Sequence, residues 1–237
     1  MNTLILDAAL GTQLAVNLSL IHISEPTRQE AIKISGKNCQ IAGSFPPINV
    51  SFRPDLTGTK DELEDFYGSL GNIYKDNVDI IMCESMSSIF EGSNASRVAK
   101  EFSERVWLSW TNRGHQPDQL PSTEALSKAV DFSIEADVEC TLINCSHADM
   151  ASNSIKELKR ASKFGIFANS STFKEVDLSI ATKDVDAIHH LNSEKISAKE
   201  YAMIALSWVK EGAFVVGGCC GTTVEHTREI KLLMDSL

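Results

Sequence analysis

An α/β fold around a parallel sheet is what this sequence predicts, on three observations. Seven short apolar runs are spaced along the chain, and most are continuous rather than alternating, as strands buried on both faces must be. Amphipathic stretches of helical period fall between them, the rhythm of successive βα units. The chain has 237 residues, 43% of them hydrophobic, which is enough to bury a sizeable core.

The elements follow in order. Strands are predicted at Thr3–Leu6, Gln40–Ala42, Asp79–Cys83, Arg105–Ser109, Thr141–Asn144, Phe164–Ala168 and Phe214–Val216. Leu63, Phe66, Tyr67, Leu70 and Tyr74 form one helical stripe, opened by a capping box of Thr59 and Glu62. Leu126, Ala129 and Val130 form a shorter one. Tyr201, Ile204, Ala205 and Trp208 form a third, with Ser197 and Glu200 capping its start and Gly212 placed to end it. Thr222 and Glu225 predict a box opening the last helix, which carries Ile230, Leu233, Met234 and Leu237. One region breaks the rhythm. Between Leu14 and Gln40 no βα unit is legible: Ser19–Ser24 reads as strand-like, but no helix follows Glu25-Pro26-Thr27. No repeat, linker or low-complexity segment marks a second domain, so residues 1–237 read as a single domain in which 15–39 is atypical. The length is slightly below the ~250 residues typical of a (β/α)8 barrel.

Charge and composition exclude several functions. With 22 Lys+Arg against 32 Asp+Glu, the net charge of −10 repels phosphate backbones and argues against a nucleic-acid partner. No basic amphipathic helix or long apolar span points to a membrane. The N-terminus lacks a basic region and Asp7 interrupts its apolar run, so no signal peptide is expected and the expected compartment is the cytoplasm. The six cysteines are then expected to be reduced, and no C-x-x-C pair exists.

The chemistry concentrates in Gly217-Gly218-Cys219-Cys220-Gly221-Thr222-Thr223, where a predicted strand ends and a capped helix begins. Strand C-termini of a parallel α/β fold face the active site. Adjacent strand residues point to opposite faces, so two neighbouring thiols converge on one ion only if the backbone leaves strand geometry, which the flanking glycines permit. Cys145, at the predicted end of another strand, supplies a third thiolate. Three protein ligands and one open position is the pattern of catalytic zinc, and soft thiolates favour zinc over magnesium or calcium. Cys39, Cys83 and Cys140 read as core residues. Asp7 and Glu84 follow apolar runs at predicted strand ends, placed to hold a substrate ammonium or orient a nucleophile, though helix capping and a solvated loop are equally open. His226, in the first turn of the last helix, reads as a surface residue.

Together these motifs resemble the zinc-dependent homocysteine S-methyltransferase family, which shares its domain with betaine–homocysteine methyltransferase and the homocysteine half of methionine synthase. Leu6–Leu14 resembles the family's opening D-G-x-x-G-T-x-L. Ala42–Pro47 and Ser51–Asp55 resemble its third-strand region, and Cys83-Glu84-Ser85 its C-E-T. Val106–Trp110 resembles its fifth strand, Asn144-Cys145-Ser146 its N-C-S, and Ala168-Asn169-Ser170 its P-N-S/A. Gly217–Thr223 matches its G-G-C-C-G-T-T and is the most specific. The resemblance implies a (β/α)8 barrel of TIM type acting as one homocysteine-binding domain. Zn2+ would be held by thiolates at Cys145, Cys219 and Cys220, and a small methyl donor would methylate homocysteine to methionine by an SN2 displacement. Asp7 and Glu84 match catalytic and substrate-binding positions, and Asn169 lies in a matching substrate motif. Nothing in the sequence sets an oligomeric state or names the donor.

The departures from the family are Ala8 for Gly, Ser85 for Thr and, above all, Gln13–Cys39. About 25 residues there stand in for the family's first helix, second strand and following helix. The barrel is therefore expected to be incomplete or distorted near strand 2, with strand edges unpaired. The alternative function is a truncated or inactive family member that keeps zinc without methyl transfer. A thiol redox role for Cys219-Cys220 carries less, since vicinal disulfides are strained and no resolving C-x-x-C is present.

Overall fold

The computed structural model describes residues 3–7, 40–114, 116–170 and 196–236. Along the chain these form β1 (Leu4–Asp7), β2 (Ala42–Phe45), a 3-10 turn (Pro54–Leu56), α1 (Lys60–Tyr74), β3 (Ile80–Met86), α2 (Ile89–Ala99), β4 (Val106–Trp110), α3 (Leu126–Glu135), β5 (Cys140–His147), α4 (Ala148–Asn153), α5 (Ile155–Leu158), β6 (Phe164–Asn169), α6 (Ala198–Lys210), β7 (Val215–Gly218) and α7 (Val224–Asp235).

Each predicted strand overlaps an observed one. The largest shift is at β2, which begins at Ala42 and runs through Gly43 and Ser44, poor strand formers that hide it from a sequence reading. Gly43 is there because the Tyr74 ring lies over it: a Cβ would come within 2.8 Å of that ring. Periodicity misses α2 and the short α4 and α5, of which α2 is the longest. Its inner face is built from Gly92, Ala95, Ser96 and Ala99, with Ser88 capping its start by accepting from Glu91 N–H at 3.1 Å. Small residues are required there, because a Cβ on Gly92 would sit 2.5 Å from Trp110.

The seven strands make one parallel sheet in the order β1-β7-β6-β5-β4-β3-β2. The sheet curls as a barrel wall does, with β1 and β2 as its edges among the described residues and no described strand between them. The expected incomplete barrel is therefore what the described residues form. Residues 15–39, with the strand-like Ser19–Ser24, lie outside the described residues.

Strand residues alternate between two apolar layers. Ile80, Met82, Trp107, Cys140, Leu142, Phe167 and Val215 pack together on the inner face. Ile81, Leu108, Ile143, Ile166 and Val216 join the helices' Leu63, Ala95, Ala129, Tyr201 and Trp208 on the outer one. Burial of both faces is why the strands read as continuous apolar runs. At the N-terminal ends of the strands, Glu139 accepts from Arg105 Nε at 2.9 Å, Trp107 Nε1 at 3.1 Å and Lys163 Nζ at 3.1 Å.

The predicted boxes at Thr59/Glu62 and Ser197/Glu200 both form, and Gly212 takes φ 99° just beyond α6. The box at the last helix sits one residue later than predicted, on Thr223 and His226. Thr222 is unavailable because its hydroxyl donates to the Cys219 carbonyl at 2.7 Å. His226 is accordingly buried, contrary to its sequence reading. Its Nδ1 accepts from Thr223 N–H at 3.1 Å, which leaves Nε2 to donate to the Ile196 carbonyl at 3.1 Å, and its ring stands edge-on to Tyr201. Among the described residues no helix is long and apolar enough to cross a membrane.

Candidate metal centre

Three strands deliver the site at their C-terminal ends. The strand β7 ends at Gly218, and the backbone then turns sharply through Cys219–Thr222, with Gly221 at φ 78°. This is the departure from strand geometry that two adjacent thiols need in order to converge. The turn is fastened to β6 at three points: Cys219 N–H donates to the Ala168 carbonyl at 2.8 Å, Cys220 N–H to Asn169 Oδ1 at 3.1 Å, and Ser170 N–H to the Cys220 carbonyl at 3.0 Å. Tyr201 of α6 braces it from below, its buried hydroxyl lying 2.7 Å from the Ala168 carbonyl and 2.9 Å from that of Gly217.

Cys145 arrives from β5. Between Asn144 and His147 that strand advances three residues while β6 advances two, so Cys145 sits in a bulge, at φ 53°. The bulge turns its sulfur towards the cysteine turn. Its Sγ lies 3.5 Å from Cys219 Sγ and 3.7 Å from Cys220 Sγ, and all three sulfurs are within 4.8 Å of one another. Among the described residues this is the one group of metal-ligating side chains so placed. Hydrogen bonds with Cys219 and Cys220, together with burial, hold the Cys145 thiol well above the ordinary range. Cys219 is pulled down by its bond to Cys145 but pushed up further by Cys220 and burial. Three thiols this close, one buried and two partly buried, ionise together only around a cation.

The donor set fits zinc. With a Zn–S bond of about 2.3 Å, sulfurs on a common tetrahedral ion stand about 3.8 Å apart, close to the two separations seen. Of the other cysteines, Cys83 packs in the outer apolar layer and Cys140 in the inner one; Cys39 lies outside the described residues.

Glu84 lies in a second bulge. Between Cys83 and Met86, β3 advances three residues against two in β4, and Ser85 takes φ 60°. The carboxylate accepts from the Ser44 hydroxyl of β2. Burial pushes it up to about 7, the Ser44 bond pulls the other way, and Cys219 adds a smaller push. Glu84 is thus in the electrostatic reach of the thiol cluster. The last residue of β1, Asp7, pairs in register with Gly218, so its backbone lies beside the cysteine turn; its side chain is outside the described residues. Asn169 is buried against the turn, with Oδ1 committed to Cys220 N–H and Nδ2 without a hydrogen-bond partner.

Sequence reasoning missed the residues that hold these groups in place: Ser44, Ser109, Tyr201 and, above all, Asn144. Ser44, Ser109 and Asn144 each stood inside a motif and Tyr201 in a helical stripe, but nothing in those patterns marked the contacts they make.

Comparison with known proteins agrees with this geometry. A family model described as homocysteine S-methyltransferase matches residues 16–234. A curated relative, the homocysteine S-methyltransferase YbgG of Bacillus subtilis (strain 168), is 24% identical over 199 residues, covering 82% of this chain and 59% of that protein. The chain therefore spans less than two thirds of that relative's length. The homocysteine methyltransferase MmuM of Escherichia coli is similar in its metallated form, with a TM-score of 0.66 and 17% identity over 90% of this chain and 68% of that one. Its apo form gives 0.62 and 16%, over 89% and 70%. At such identities the likeness shows the fold: a (β/α) barrel wall matching about two thirds of a longer chain.

Proposed function

The chain belongs to the homocysteine S-methyltransferase family, and from that membership we propose that it moves a methyl group from a small donor to the thiol of homocysteine, forming methionine. The observation that carries this reading is the convergence of the Cys145, Cys219 and Cys220 sulfurs at the C-terminal mouth of the sheet. These three would hold Zn2+, which when bound would keep a coordinating substrate thiol ionised at neutral pH, where a free thiol of pKa ~8.5 is only a few per cent thiolate.

The remaining roles fall to the chain's own residues. Glu84, aimed by its bulge and fixed by Ser44, receives the substrate ammonium, a partner that draws a raised carboxyl back to its charged form. Asp7 at the end of β1 shares that task. The unpartnered Nδ2 of Asn169 donates to the amino-acid portion of the substrate. Leu142 and Phe167, in the apolar layer against which Cys219 packs, keep water from beneath the sulfur. The chain acts here as a single homocysteine-binding domain.

A second reading is favoured by one observation, the two sheet edges left unpaired among the described residues: a family member that binds zinc without transferring a methyl group. One experiment separates the two. Zinc-loaded full chain is incubated with homocysteine and, in turn, S-methylmethionine, S-adenosylmethionine, betaine and a methylated folate, and methionine is measured. Methionine from any donor supports the transferase. Folded, zinc-loaded protein that makes none from all four overturns it and leaves the second reading.

A further inference from the structure

Two bulges aim the groups of this site, and one side chain fastens both. The bulged strands β3 and β5 flank β4, and each bulge carries a non-glycine residue at positive φ: Ser85 at 60° and Cys145 at 53°. Such backbone is unfavourable for residues with a Cβ and persists only where surrounding contacts enforce it. Bulges of this kind re-aim side chains near active sites; here they re-aim Glu84 and Cys145.

Asn144 stands at the point where the two bulges meet. Its Oδ1 accepts from Ser85 N–H at 2.9 Å and from the Ser109 hydroxyl at 2.7 Å. Its Nδ2 donates to Ser85 Oγ at 2.7 Å and lies 4.0 Å from Cys219 Sγ. One amide thus touches β3, β4 and the cysteine turn, while its own backbone leads directly into the Cys145 bulge. The side chain is wholly buried, so its two oxygen lone pairs and two N–H groups have no water to fall back on. Four contacts in a dry site leave it a single orientation.

We infer that Asn144 is a positioning residue of this centre, a single group that locks the Glu84 and Cys145 bulges together and orients the Cys219 sulfur by an N–H···S contact. The inference rests on the proposed metal-binding role of the three thiols. It assigns to Asn144 a part in metal affinity and thiolate geometry beyond its contribution to folding, in the way that groups behind metal ligands commonly act.

The test is cobalt(II) binding by the full chain, read from the sulfur-to-cobalt charge-transfer absorption, with thermal unfolding of the metal-free protein measured in parallel. Asn144→Ala removes all four contacts. Expected are cooperative unfolding without metal, a cobalt affinity lower by roughly 10–100-fold, and a shifted charge-transfer band, a signature that loss of stability alone does not move. Ser109→Ala removes only one of the two donors to Oδ1 and should shift affinity in the same direction by less. An unchanged affinity and band in folded Asn144→Ala overturn the inference. If Asn144→Ala does not fold, an unchanged affinity and band in Ser109→Ala overturn it instead. A wild-type chain that binds no cobalt overturns the metal reading itself, which distinguishes that failure from a failure of Asn144.

Discussion

Gly217 of β7 and Leu6 of β1 are paired in register so closely that a methyl group on Gly217 would collide with the Leu6 carbonyl oxygen and come within 2.9 Å of its Cβ. The obstacle is backbone, which cannot swing aside. Strand β1 has only four residues and pairs with β7 alone among the described strands, so that pairing carries much of what holds it. Gly217→Ala should therefore destabilise the chain by roughly 1–3 kcal/mol, the range for overpacking. Because Cys219 lies two residues on, zinc uptake should fall with it. Gly68→Ala is the contrasting substitution. Gly68 lies within α1 with nothing near the position of a Cβ, and alanine there should raise stability by about 0.5–1 kcal/mol. Thermal unfolding and zinc content of the two variants check both expectations.

The cysteines should divide into two groups. Serine at Cys145, Cys219 or Cys220 removes one of three converging sulfurs, and each variant should lose zinc on dialysis against a chelator that the wild type withstands. Cys83 and Cys140 sit in the two apolar layers away from that cluster. Cys83→Ala and Cys140→Ala should keep full zinc content and lower stability by about 1–2 kcal/mol through the small cavity left. Loss of zinc from either would place the metal elsewhere.

The site was legible in the sequence where chemistry needs particular residue types, and illegible where geometry needs only backbone. Cys219-Cys220 between glycines announces a turn that brings two sulfurs together, and Cys145 follows as the third. The bulges at Ser85 and Cys145 leave no such mark, because an extra residue in a strand changes pairing and not composition. Asn144 reads as one more polar residue until its four contacts are seen. Fold prediction has the same limit. Strands flanked by Val, Ile and Leu were visible, while β2 hid behind Gly43, whose smallness answers to the Tyr74 ring, and Ser44, whose hydroxyl answers to Glu84. The helix α2 hid behind Gly92, which answers to Trp110, and Ser96, whose hydroxyl donates back to the Gly92 carbonyl. His226 was misread because the histidine that completes a helix cap has the same spacing as one that faces water.

Glu139 should stabilise the N-terminal end of the sheet in a pH-dependent way. Burial raises its carboxyl, but hydrogen bonds from Arg105, Trp107 and Lys163 outweigh this and hold it at about 2. The folded value is below the unfolded one of about 4.3. Its stabilisation is therefore present above that pH and lost as pH falls towards 2. Glu139→Gln should be less stable than the wild type by about 1 kcal/mol at pH 7, a figure discounted for the partial solvent exposure of the cluster. The deficit should shrink in urea titrations at pH 3, and a deficit equal at both pH values would refute the assignment.

Glu91 should act in the opposite sense. It is 2% exposed in the first turn of α2, where its Oε2 accepts from Ser87 N–H at 3.0 Å. Burial pushes its carboxyl up to about 7, with the Ser87 bond pulling the other way. Tyr67 of α1 is the titratable group that registers its charge, and burial pushes that phenol up as well, so it gains no charge in this range. Between about 4.3 and 7 the folded chain keeps a proton that the unfolded chain releases. Stability from this group is thus complete below about 4.3 and declines as pH rises through 7, by about 2–4 kcal/mol in all. Glu91→Gln leaves an oxygen for Ser87 N–H and removes the charge. In urea titrations from pH 4.5 to 8, the variant should match the wild type at the acid end and become the more stable of the two at pH 8. Parallel profiles across that range would show that Glu91 is ionised in the folded chain throughout.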